Sequence, residues 1–131
     1  MSGTVGPVAG TILVVDDDDD IRLLLRTVLT HAGYEVLDSS TGYGGLALAA
    51  RGGVDLIMLD LHVPDLDAWS FMVRAWEDRT IAKVPIVMFS ATDDTVTATR
   101  ALAWGCRAFL AKPFGAEEIL GTVQGALTSP G

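Results

Sequence analysis

The chain has 131 residues, 50% hydrophobic and 20% charged, with 9 Lys and Arg against 17 Asp and Glu, a net charge of −8. This describes one domain with room for a core rather than a disordered tail. The acidic balance argues against direct nucleic-acid binding. The apolar runs fall far short of the roughly 20 residues of a membrane span, and no secretory signal opens the chain, so a cytoplasmic location is expected.

A loose leader over residues 1–10 precedes Thr11-Ile12-Leu13-Val14-Val15, a short β-branched run that reads as a strand buried on both faces. Ile21, Leu24, Leu25, Val28 and Leu29 then recur as the apolar stripe of a helix, which Gly33 stops. A second strand is predicted over Tyr34 to Leu37, and a helix from Gly44 to Arg51 before Gly52-Gly53. Val54 to Leu59 reads as a third buried strand ending at Asp60. A loop with Pro64 leads to a helix over Ala68 to Asp78. Pro85 to Phe89 is a fourth strand, with its proline at the start where a missing donor is tolerated. A helix over Thr95 to Trp104, a strand over Ala108 to Ala111 and a helix over Ala116 to Leu127 complete the core, leaving a short tail at 128–131. Five strands alternating with five helices define an α/β fold with a parallel sheet.

Right-handed crossovers bring the C-terminal ends of all such strands to one edge, where ligands bind. Asp16 and Asp17 end the first strand, Asp60 the third, Ser90 the fourth and Lys112 the fifth. Three neighbouring carboxylates cannot all stay ionised without a counter-charge. A hard cation such as Mg²⁺ supplies one, keeping several waters and commonly bridging to phosphoryl oxygens. With the Lys112 ammonium and the Ser90 hydroxyl, this set suits a phosphoryl group rather than a sugar or an acyl carbon. A carboxylate can itself be the nucleophile, and Asp60, the lone acid ending the central strand, is the candidate.

These residues resemble a known family. Ile12-Leu13-Val14-Val15-Asp16-Asp17 is similar to the opening of the receiver domain of two-component response regulators, and Asp60-Leu61-His62-Val63-Pro64-Asp65-Leu66-Asp67 to its phosphorylation loop. Pro85-Ile86-Val87-Met88-Phe89-Ser90-Ala91 and Phe109-Leu110-Ala111-Lys112-Pro113-Phe114 resemble its fourth and fifth strands. The resemblance spans residues 11–127 and implies a flavodoxin-like (βα)5 fold, CheY-like, with strand order 2-1-3-4-5. It implies Mg²⁺-dependent phosphorylation of Asp60 by a histidine kinase, a phosphotransfer protein or a small phosphodonor. Asp17 would bind the metal directly, Asp16 mainly through water, alongside Asp60 and the His62 backbone carbonyl. Lys112 and Ser90 would meet the phosphoryl oxygens, and Phe109 would swing inward as Ser90 moves. Pro113 would follow a cis peptide. The output would be conformational rather than enzymatic, with only weak self-phosphorylation and self-dephosphorylation. It would act on a downstream partner or effector domain, or a second copy, through the face of the fourth helix, fifth strand and fifth helix.

One departure from the family is Ala68, where glycine is usual; a positive φ there would strain alanine and shift the loop. His62 and Thr92 occupy positions that tend to tune phosphoryl lifetime in the family. Asp18 to Asp20 read as structural, with Asp19 or Asp20 capping the first helix. His31 reads as a helix-end cation and Cys106, the single cysteine, as a small semi-buried residue. Trp69, Val73 and Trp76 form a second stripe beside Phe71, Met72 and Ala75. The latter three suit the buried face better, which leaves Trp76 exposed as a hint of a partner surface. Three other functions compete: a phosphorylation-independent scaffold, a phosphatase of the haloacid dehalogenase type, and a dinucleotide binder reading Gly42-Tyr43-Gly44-Gly45-Leu46-Ala47 as G-x-G-x-x-A. The phosphatase family places an Asp where this chain has His62.

Overall fold

The computed structural model describes residues 9–91 and 95–128. Most of the leader, the end of the tail and Thr92 lie outside the described residues. Strands β1 (Thr11–Val15), β2 (Glu35–Ser39), β3 (Leu56–Asp60), β4 (Ile86–Ser90) and β5 (Ala108–Ala111) alternate with helices α1 (Asp19–His31), α2 (Gly42–Ala50), α3 (Ala68–Glu77), α4 (Thr95–Ala103) and α5 (Ala116–Thr128). All strand pairs are parallel, in the order β2-β1-β3-β4-β5. No helix among the described residues is long and apolar enough to cross a membrane.

The continuous apolar strands serve two cores at once, because successive side chains leave opposite faces of the sheet. Leu13, Val15, Ile57, Leu59 and Met88 face one cluster with Phe71, Met72 and Ala75 of α3. Ile12, Val14, Leu56, Met58, Val87 and Phe89 face the other, with Leu25 and Leu29 of α1 and Ile119 and Val123 of α5. Each fully buried aliphatic side chain of this kind contributes about 1.5–3 kcal/mol.

Several boundaries differ from the sequence reading for identifiable reasons. Strand β2 runs to Ser39 rather than Leu37, since Asp38 and Ser39 pair with Val14 and Val15. The polar Asp38 is tolerated because Arg26 Nε donates to its carboxylate at 2.9 Å. Strand β3 begins at Leu56 rather than Val54; just before it, Asp55 meets Thr11 twice, its N–H donating to the Thr11 carbonyl and its carboxylate accepting the Thr11 N–H, both at 2.8 Å. The α1 stripe is narrower than expected: Leu25 and Leu29 are buried, whereas Leu24 is exposed. The cap of α1 is Asp18, not Asp19 or Asp20; its side chain accepts from the N–H groups of Asp20 and Ile21. Asp19 and Asp20 lie in the first turn, where negative charge meets the positive end of the helix dipole.

Candidate functional site

The C-terminal edge of the sheet gathers the five sequence-predicted polar residues. Asp16 directly follows β1 and continues its ladder, its N–H donating to the Ser39 carbonyl at 3.1 Å. Asp60 ends β3 and Ser90 ends β4. Asp16, Asp60 and Ser90 are the buried polar residues of the described chain, while Asp17 is exposed beside them. One carboxylate oxygen from each of Asp16, Asp17 and Asp60 lies within 4.8 Å of the others. Lys112 Nζ stands 3.1 Å from Asp16 Oδ2 and 3.7 Å from Asp60 Oδ1. The Lys112–Pro113 peptide is cis.

The electrostatics of this cluster lack positive charge. Burial first, and the Asp16 carboxylate second, push the Asp60 pKa up from 3.8 to about 6, against the pull of Lys112 and the His62 N–H. One ammonium facing two buried carboxylates, with a third acid at the surface, leaves room for a divalent cation. The donor set is hard oxygen, which suits Mg²⁺ rather than a softer metal. Asp16 is fixed from both ends: its Oδ1 accepts the Asp18 N–H at 2.9 Å, and its carbonyl accepts Arg22 Nη1 at 2.7 Å. The acidic run therefore divides by role, with Asp16 and Asp17 facing the cluster and Asp18 holding the start of α1.

His62 sits exposed on the loop after β3. Phe109 is half-buried against the cluster on the α3 side of the sheet, one residue before the oppositely facing Leu110. The strain expected at Ala68 does not arise. This residue is the first of α3, whose helical backbone has negative φ, and Asp67 caps the helix by accepting the Ser70 N–H at 3.0 Å.

Asp65, which the sequence reading passed over, ties the same loop to α2. Its carboxylate accepts the N–H of Gly42 at 2.7 Å and of Tyr43 at 3.1 Å. Burial works against the Asp65 charge, but these two N–H groups outweigh it and hold the pKa below 3.8. Thr41 Oγ1 accepts the Gly44 N–H and the Thr41 carbonyl accepts the Gly45 N–H, both at 3.0 Å. The amides that a dinucleotide would need are thus already engaged within the chain. The glycines serve packing instead: a Cβ on Gly45 would sit 2.6 Å from Val15 Cγ2, and one on Gly42 would sit 2.9 Å from Leu66 Cβ. Neither signal was readable locally, because both partners lie more than twenty residues away in sequence or on another element.

Comparison with known proteins agrees with this geometry. Residues 12–124 match the response regulator receiver domain. The chain is 35% identical over 118 residues to the transcriptional regulatory protein KdpE of Mycobacterium tuberculosis, covering 88% of this chain and 50% of that protein. It is 36% identical to the DNA-binding dual master transcriptional regulator RpaA of a Synechocystis strain, covering 88% and 48%. It therefore spans about half the length of these relatives. Among solved structures, a putative response regulator from Chloroflexus aurantiacus superposes with a TM-score of 0.85 at 30% identity, covering 92% of this chain and 98% of that one. The chemotaxis protein CheY4 of Vibrio cholerae gives 0.84 at 30% identity, covering 90% and 98%. The five-stranded parallel sheet, the acidic cluster at its edge and the match over 12–124 agree: the chain belongs to the receiver domain family of two-component response regulators.

Proposed function

We propose that residues 11–127 form a cytoplasmic phosphorylation switch whose phosphoacceptor is Asp60. The observation that carries this reading is the meeting of three carboxylates within 4.8 Å, two of them buried, beside the Lys112 ammonium. Asp16, Asp17, Asp60 and the His62 backbone carbonyl would hold Mg²⁺. When bound, the metal supplies positive charge that offsets phosphoryl oxygens and lets the carboxylates coexist.

Asp60 acts as the nucleophile. Its carboxylate oxygen bonds to phosphorus while the bond to the donor breaks, and the donor keeps that electron pair. The donor is the phosphorylated histidine of a sensor kinase or phosphotransfer protein, or a small acyl phosphate. Asp60 attacks as the ionised carboxylate, a form that a bound cation favours. Lys112 balances the charge of the phosphoryl oxygens, and the Ser90 hydroxyl closes on one of them. Phe109 then turns into the space that Ser90 leaves. Two packings separated by a few kcal/mol are enough for one local charge to bias the fold.

The changed face lies on α4, β5 and α5, where a downstream partner, an effector domain or a second copy would dock. Relatives about twice as long and named as transcriptional regulators support a switch whose output is carried by another domain or protein. The net charge of −8 supports an output carried by protein contacts rather than direct contact with nucleic acid or membrane. Incubation with acetyl phosphate and Mg²⁺ should add one phosphoryl group by intact mass, and Asp60→Asn should abolish it. Equal labelling of the Asn variant would overturn the assignment. A beryllofluoride mimic should shift the amides of residues 90–92 and 104–114 more than those of α2. Shifts confined to Asp16, Asp17 and Asp60 would mean that this switch is not driven.

A further inference from the structure

All three tryptophans of the chain meet at one place, on the flank formed by α3 and the end of α4. Trp104 lies between Trp69, whose ring centre is 5.1 Å away, and Trp76, at 5.7 Å. Arg100 lies over the Trp69 ring at 4.0 Å and reaches Trp104 at 5.5 Å. Helix α3 therefore carries two apolar stripes. Phe71, Met72 and Ala75 fill the core, whereas Val73 and Trp76 face outward, 41% and 46% exposed, and Trp69 is half-buried between the core and this outer stripe. Nothing in the phosphorylation chemistry uses this second stripe.

Two cavities open along it, of about 390 and 430 Å³, one lined by Trp104 and Val73 and the other by Trp76 and Met72. Each is large enough to seat apolar side chains of a partner. Their linings include Arg74, Lys83 and Arg107, and Arg100 covers the rings beside them. Glu77 is the single acid lining either cavity among the described residues. This reverses the balance of the whole chain. Residues 68–111 hold five cations and four acids, while the remainder holds four cations and thirteen acids.

We infer that the Trp69–Val73–Trp76 stripe with Trp104 is a docking groove for an amphipathic helical segment of a protein partner, with aliphatic anchors flanked by acidic residues. Exposed tryptophan with surrounding arginine is the composition of energetically dominant interface positions. An apolar stripe at i, i+4 and i+7 suits a helix laid along α3. The exposed cations Arg74 and Lys83 select acidic flanks and repel basic ones, while Arg107 is held by the Ala126 carbonyl at 3.3 Å. A second copy of this chain is the poorer occupant of this groove, because a twofold contact would set the Arg74 and Lys83 of one copy against those of the other. The groove contains none of Asp16, Asp17, Asp60, Ser90 or Lys112, so binding there is tested apart from that assignment, although Trp104 and Arg107 belong to the segment expected to move on phosphorylation.

Since every tryptophan lies here, intrinsic fluorescence reads the groove directly. The probe is a helical peptide of about 16 residues with leucines at i, i+3, i+4 and i+7 and glutamates flanking them; its control replaces each glutamate by lysine. The glutamate peptide should shift tryptophan emission saturably. Trp76→Ala and the exposed Arg74→Glu should each weaken binding about tenfold or more, with labelling by acetyl phosphate unchanged. No emission shift with the glutamate peptide would overturn the inference, as would equal binding of the lysine peptide. Concentration-dependent dimerisation of the chain alone that Trp76→Ala abolishes would overturn it in favour of a second copy.

Discussion

Replacing Asp60 by Asn should stabilise the metal-free domain. Asp60 is 4% exposed, and its burial beside Asp16 lifts its pKa from 3.8 to about 6. The folded state thus binds this proton more tightly than the unfolded chain, so stability falls as pH rises from about 4 to about 6 and the full cost stands above that. With each pH unit worth about 1.4 kcal/mol, the ionised carboxylate costs the fold about 3 kcal/mol, to order of magnitude. Asparagine is nearly isosteric with the protonated acid, and its amide oxygen can still accept the His62 N–H, so it removes that cost. Urea unfolding in EDTA should show Asp60→Asn more stable than the parent by about 1–3 kcal/mol at pH 8. The difference should shrink to nothing below about pH 3, where Asp60 is protonated in both the folded and the unfolded chain. Adding Mg²⁺ at pH 8 should stabilise the parent more than the variant, closing part of the gap. Coincident unfolding curves at pH 8, or a gap that persists unchanged to pH 4, would refute the argument that this carboxylate is held against its solvation.

Asp17→Ala should weaken Mg²⁺ binding, followed by titration, far more than Asp19→Ala, because Asp17 shares the carboxylate cluster and Asp19 pairs with Arg22 in the first turn of α1. Gly45→Ala should destabilise the fold by about 1–3 kcal/mol in thermal melts, since Val15, a stiff β-branched side chain, stands 2.6 Å from the new Cβ. Gly121→Ala in α5, where a Cβ meets nothing within 4 Å, should instead stabilise by about 0.5–1 kcal/mol. Asp65→Ala should free the Gly42 and Tyr43 amides and speed their hydrogen exchange, at a cost of about 1 kcal/mol.

Sequence alone determined the elements that repeat a local rule. The short apolar runs at Thr11–Val15 and Pro85–Phe89 read as strands, the first as one buried on both faces. The chain logic of parallel crossovers then brought Asp16, Asp60, Ser90 and Lys112 to one edge without any coordinates. The family motifs added roles to those positions because each carries its chemistry in adjacent residues. What needed the tertiary structure were contacts between elements distant in sequence. Asp65 gave no sign that it holds the start of α2, 23 residues earlier, and Gly42 to Gly45 read locally as a helix start at Gly44 or a nucleotide loop. Asp18 and Asp19 are indistinguishable in a run of five acids; the path of the backbone into α1 chose between them. Trp69, Trp76 and Trp104 form one surface only once α3 and the end of α4 lie side by side. Periodicity and propensity act over a few residues, whereas hydrogen bonds, close approach and charge depend on distance in space, which the sheet order alone brings into being.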